Sequence, residues 1–123
     1  MQKLMIVDDS NVIRSKIRRS VQSERFKLVA SASNGAEAIT HFKATKPDVV
    51  TMDLTMPNMD GIACIEQLIR LNPDVLILVV SALSDKATGI EALEKGARGF
   101  LLKPFTEQDM NAALLELTDF LYV

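Results

Sequence analysis

The sequence predicts an α/β fold with one doubly wound, five-stranded parallel sheet and helices on both faces. Three observations predict it. Short apolar runs alternate five times with longer segments that carry apolar residues at helical spacing. The runs LMIV, VVTM and LILVV lack the in–out alternation of a half-exposed strand, so both of their faces are covered. The chain has 123 residues, the size of one domain with a full core. Crossovers between parallel strands are nearly always right-handed. The order 2-1-3-4-5 is one common solution, with its topological switch between strands 1 and 3.

Each element follows from local chemistry. Strand 1 is expected near Leu4–Val7. Helix 1 runs from about Ser10 to Ser23, with Ile13, Ile17 and Val21 on one stripe. Strand 2 lies near Lys27–Ser31. Asn34, with Glu37 three residues on, reads as a cap that starts helix 2, and Pro47 stops it after about Thr45. Strand 3 is Val49–Met52. Pro57-Asn58-Met59-Asp60-Gly61 is loop chemistry, and helix 3 follows to about Leu71 with Ile62, Ile65 and Ile69 facing inward. Asn72-Pro73-Asp74 turns the chain into strand 4, Leu76–Val80. Helix 4 spans about Asp85–Lys95, and Gly96 stands where a left-handed cap belongs. Strand 5 is Gly99–Leu102. Thr106 and Asp109 suggest a capping box for helix 5, which carries Met110, Ala113, Leu114, Leu117 and Leu121.

Composition narrows the function. The chain is 48% hydrophobic and 24% charged with a net charge of -2, which argues against a nucleic-acid surface. A single cysteine, Cys64, excludes an internal disulfide framework and reads as a packed small apolar residue. No stretch approaches the roughly 18 apolar residues of a membrane span, and the N-terminus is not a signal peptide. A cytoplasmic protein is expected. His41, the lone histidine, falls mid-helix at the surface and makes no metal site. The six methionines are scattered as core filler.

The informative residues stand at strand ends. LMIV leads into Asp8 and Asp9, VVTM into Asp53, LILVV into Ser81 and GFLL into Lys103. In a parallel sheet these ends share one edge, where open α/β sheets bind ligands. Asp8 and Asp9 taken alone suit a helix N-terminus. Placed with Asp53 they form a repulsive cluster that a hard cation relieves. Mg2+ prefers such oxygen ligands and keeps positions open for phosphate. An aspartate can take a phosphoryl group as nucleophile. Phosphoryl transfer asks mainly for positioning and for charge stabilisation at the equatorial oxygens. Lys103 and Ser81 are suited to the second task.

Four segments carry a family resemblance: IVDDS at Ile6–Ser10, MDLTMPNMDG at Met52–Gly61, VVSA at Val79–Ala82 and LLKPF at Leu101–Phe105. Together, in this order, they resemble a response-regulator receiver domain of two-component signalling, of the stand-alone chemotaxis (CheY-like) type. The resemblance covers essentially the whole chain as one receiver domain, 1–123, with no effector domain, in the flavodoxin-like/CheY-like arrangement. It implies Asp53 as phosphoacceptor. Asp8, Asp9 and Asp53 would be Mg2+ ligands together with the backbone carbonyl of Thr55. Lys103 would pair with the phosphoryl oxygens, Ser81 would be the switch hydroxyl, and Phe100 matches the aromatic switch. The Lys103–Pro104 bond matches the family's cis peptide. The implied partners are a sensor histidine kinase or a histidine phosphotransfer protein, and a downstream protein on the helix 4/strand 5/helix 5 face. Phosphorylation-dependent dimerisation of a monomer is the other output. No turnover enzyme is implied beyond promotion of the chain's own phosphorylation and dephosphorylation.

Two departures from the pattern matter. Members often carry an amide or acid at the positions of Thr55 and Leu83, where it orients attacking water. Their absence implies slow phosphate loss, to be tested by comparing wild type with Leu83→Glu. Phe100 lacks a tyrosine hydroxyl, so its switch would rest on packing. Helix 1 carries Arg14, Lys16, Arg18 and Arg19 with no acid, and helix 5 carries Glu107, Asp109, Glu116 and Asp119 with no base. These read either as solvated faces or as docking faces for the phosphodonor and the output partner. A hydrolase with an aspartate nucleophile usually places nucleophile and acid two residues apart after strand 1, unlike Asp8-Asp9-Ser10-Asn11. A flavin phosphate would want hydroxyls and free N–H groups where this loop is acidic. A receiver acting only as a scaffold would not need the complete residue set.

Overall fold

The computed structural model describes residues 1–21, 23–54, 60–82 and 86–119. Strands and helices alternate as β1 (Gln2–Val7), α1 (Asn11–Ser20), β2 (Phe26–Ala32), α2 (Gly35–Thr45), β3 (Val49–Asp53), α3 (Gly61–Leu71), β4 (Leu76–Ser81), α4 (Lys86–Glu94), β5 (Gly99–Leu102) and α5 (Glu107–Thr118). All four strand pairings are parallel, in the order β2-β1-β3-β4-β5. The expected order is thus the one observed.

Strand alternation divides the core in two. Met5, Val7, Val50, Met52, Ile77 and Val79 pack against α2, α3 and α4 through Phe42, Ile65, Leu68 and Ala92. Leu4, Ile6, Val49, Leu78 and Val80 pack against α1 and α5 through Ile17, Met110 and Leu114. Each of these buried Val, Leu, Ile, Phe and Met side chains stabilises the fold by about 2 kcal/mol. The stripes expected on α1, α3 and α5 face these cores, with Ile13, Val21, Ile62, Ile69, Ala113 and Leu117 at their half-buried rims.

Helices α1 and α4 end short of expectation and α2 ends where expected, each for an identifiable reason. Helix α1 stops at Ser20, not Ser23. The Ser20 hydroxyl donates back to the Lys16 carbonyl at 2.6 Å, which weakens a helix end, and Val21 is extended (φ -84, ψ 145). Helix α2 ends at Thr45, and Lys46 takes the left-handed conformation (φ 50) while its N–H donates to the Phe42 carbonyl. A residue before proline is disfavoured in the right-handed α region, so Lys46 leaves the helix by the left-handed route. Helix α4 ends at Glu94, and Gly96 has φ 121. Gly96 N–H bonds the Leu93 carbonyl and Ala97 N–H the Ala92 carbonyl, a Schellman cap. The helix 4 start at Asp85 and the helix 5 residue Leu121 lie outside the described residues. Among the described residues, no helix is long and apolar enough to cross a membrane.

Candidate functional site

Strand β1 delivers Asp8 to the sheet edge. Its N–H donates to the Ala32 carbonyl at the end of β2 (3.0 Å), so the backbone continues the sheet for one residue. Its Oδ1 accepts from the Ser10 N–H at 2.9 Å, and Ser10 in turn caps α1 by accepting from the Ile13 N–H. The Arg14 guanidinium, one turn into α1, donates to the Asp8 carbonyl and to the Asn11 side chain. Strand, cap and helix therefore fix Asp8 together.

Asp53 ends β3, opposite Val80 of β4. The Gly61 N–H donates to the Leu54 carbonyl at 3.1 Å, bringing the start of α3 back to the end of β3. A Cβ on Gly61 would lie 2.5 Å from Leu54 Cα and 2.7 Å from the Asp53 carbonyl oxygen. Only glycine lets α3 begin this close to the end of β3. Asp60 caps α3 by accepting from the Ala63 N–H at 2.8 Å.

Strand β5 and the turn after it deliver Lys103, whose N–H donates to the Ser81 carbonyl at 2.8 Å. The Lys103–Pro104 peptide is cis, as expected. The Lys103 ammonium lies 2.8 Å from Asp8 Oδ2 and 3.6 Å from Asp53 Oδ2. Asp8 and Asp53 are each 1% exposed, and Asp9 is exposed. Oxygens of Asp8, Asp9 and Asp53 all lie within 4.8 Å of one another. Burial raises the Asp8 carboxyl above its ordinary value. The Lys103 and Ser10 hydrogen bonds pull it down, and the Asp53 charge adds to the rise.

The structure thus brings Asp8, Asp9, Asp53 and Lys103 directly together. Ser81 is fully buried at the neighbouring strand end, paired with Leu102 next to Lys103. By alternation its side chain shares the α3/α4 side of the sheet with Val79 and Phe100. Phe100 is half-buried, with its ring against α4 at Gly89, where a Cβ would sit 3.2 Å from Cε2. Thr55 and Leu83 lie outside the described residues. The donor set, three clustered carboxylates with one on the solvent side, fits a hard divalent cation such as Mg2+.

Three contributors are not marked in the sequence. Arg14 was legible only as one of several bases, although its helical reach back to the strand end is a local signal. Lys16 of α1 donates to the carbonyl of Phe105, 89 residues away, and nothing local signals it. The charges of α1 and α5 also meet, because both helices pack on one face of the sheet. Arg19 lies 3.6 Å from Glu107.

Comparison with known proteins agrees with this geometry. Residues 4–115 match the family model described as the response regulator receiver domain. The chain is 39% identical over 114 residues to the chemotaxis protein CheY of Listeria monocytogenes, covering 93% of this chain and 96% of that one. The response regulator domain of Thermotoga maritima CheB superposes with a TM-score of 0.85 at 32% identity, covering 100% of this chain and 98% of that one. A CheX-CheY-BeF3-Mg+2 complex from Borrelia burgdorferi superposes with a TM-score of 0.86 at 31% identity, covering 99% and 90%.

Proposed function

The chain belongs to the response regulator receiver family, and on that premise we propose that it is a CheY-like signalling switch that accepts a phosphoryl group on Asp53. One observation carries the proposal. The carboxylates of Asp8, Asp9 and Asp53 and the Lys103 ammonium converge at one sheet edge. The phosphodonor is a phosphohistidine on a sensor kinase or on a phosphotransfer protein. An Asp53 oxygen attacks phosphorus, a P–O bond forms, the P–N bond breaks, and the electron pair leaves with the imidazole.

Asp8, Asp9 and Asp53 would hold Mg2+. When bound, the ion neutralises the carboxylates and the phosphoryl oxygens. The Beryllium-fluoride and magnesium named for the Borrelia complex support this assignment. Lys103 shifts from its carboxylate partners to a phosphoryl oxygen. Ser81 turns its hydroxyl to another, and Phe100, on the same side of the sheet, moves into the space behind it. The added charge, about -1.5 to -2, biases a two-state element. The changed α4/β5/α5 face binds a protein partner or a second copy. The chain acts in the cytoplasm as a signalling protein and not as a turnover enzyme.

Incubation with a small acyl phosphate and Mg2+, followed by intact-mass measurement, tests the proposal. Wild type should gain one phosphoryl group, and Asp53→Asn or wild type with the metal chelated should gain none. Equal labelling of Asp53→Asn would overturn it.

A further inference from the structure

Lys103 can do its work only if the turn that carries it is held in place. Upstream the turn is fixed by the Lys103 N–H bond to the Ser81 carbonyl, 2.8 Å. Pro104 has no N–H to offer. Two residues beyond Lys103, Phe105 is 3% exposed, its ring packed in the core beneath α1 and α5. Its carbonyl accepts from the Lys16 ammonium, which also lies 4.7 Å from the centre of the Phe105 ring. One cation on α1 therefore grips both the backbone and the side chain of Phe105. The next residue, Thr106, is already locked in the α5 capping box by its bond to Asp109.

We propose that Lys16 is a positioning residue for the phosphoryl site: by holding the Phe105 carbonyl it fixes the turn that presents Lys103. The inference rests on the phosphoacceptor reading of Asp53. It also removes Lys16 from the set of α1 bases free to meet a docking partner, because its ammonium is spent on a carbonyl and a ring. A hydrogen bond from an ammonium is stronger than one between neutral groups, and its stem covers apolar surface on the way.

The two roles open to Lys16, general stability and positioning, predict different results. Lys16→Met keeps the stem and its packing but removes the donor, and Lys16→Arg restores a donor of similar reach. Three quantities are measured on the whole chain: the rate of Mg2+-dependent labelling by a small acyl phosphate, the affinity for beryllofluoride at saturating Mg2+, and the affinity for Mg2+ alone. Lys16→Met should lower labelling rate and beryllofluoride affinity about tenfold, as a displaced positioning group does. Mg2+ affinity should stay as in wild type, and Lys16→Arg should recover most of the loss. If Lys16→Met does not fold, Lys16→Gln, too short to span the gap, takes its place. The inference is overturned if Lys16→Met labels like wild type, if Mg2+ affinity falls in the same proportion, or if Arg restores nothing. A wild type that takes no label overturns the proposed function instead, and this inference with it.

Discussion

Thr51 sits in the middle of β3, 1% exposed, and its hydroxyl has no hydrogen-bond partner among the described residues. It lies between Ile6 and Leu78 of the flanking strands, so its surroundings are apolar. A buried hydroxyl left unpaired costs about 1–3 kcal/mol in desolvation. Valine has the same shape without the hydroxyl. Thr51→Val should therefore stabilise the protein by about 1 kcal/mol, raising the melting temperature by about 3 °C. A thermal melt of the variant that is unchanged or lower would reject this account. Cys64 shows the opposite case, a polarisable side chain at home in the core. It is fully buried, and burial pushes its thiol up to about 11. That agrees with its reading as a small apolar residue. The buried carboxylates of Asp8 and Asp53 follow neither pattern, and they are the residues given chemical roles here.

At the scale of elements, α5 offers a clean electrostatic test. Thr106 and Asp109 form the reciprocal capping box, with the Asp109 N–H donating to Thr106 Oγ1 (2.9 Å) and the Thr106 N–H donating to Asp109 Oδ2 (3.0 Å). The bond from the Thr106 backbone, and then the one with its side chain, hold the Asp109 carboxyl below its ordinary value. A carboxyl whose folded value is depressed stabilises the protein above its unfolded value of about 4. That stabilisation fades as the pH falls through the folded value. Asp109→Asn should accordingly be less stable than wild type at neutral pH, and the gap in urea midpoint should close under acid. A gap that persists unchanged below the carboxylate range would show that the charge is irrelevant. This box was legible in the sequence because both partners lie within four residues. The one at α2 was legible only in part. Asn34 accepts from the Glu37 N–H as expected, but Glu37 reaches past it to the Ser33 N–H and hydroxyl. The strands were legible throughout, because unbroken runs such as LILVV have no other place than a sheet covered on both faces. The end of α1 was not, since its early stop depends on which way the Ser20 hydroxyl turns.

Across the whole molecule, the proposed function asks for an arrangement that like-charge repulsion resists. The sheet gathers three carboxylates whose oxygens lie within 4.8 Å, and the Lys103 ammonium answers two of them, Asp8 and Asp53. This convergence was readable from sequence because parallel strands end on one side, so acids at the ends of LMIV and VVTM had to meet. The supports from α1 were not readable, since Lys16 and Phe105 become neighbours only once α1 and α5 share a face of the sheet. The cluster has a consequence for global stability. Any cation that binds the folded site and not the unfolded chain adds stability by mass action, about 2.7 kcal/mol at a hundredfold excess over its dissociation constant. Wild type should then melt at a higher temperature with excess Mg2+ than with a chelator at equal ionic strength. Asp9 is the exposed member of the cluster, so its repulsion is partly screened by water. Asp9→Asn should leave the chelated protein as stable as wild type or slightly more so, while removing most of the Mg2+ response. The two parts are separable in one set of melts. Loss of stability in the chelated variant would mean that Asp9 holds the fold and not the ion, and an intact Mg2+ response would mean that the ion is held without it.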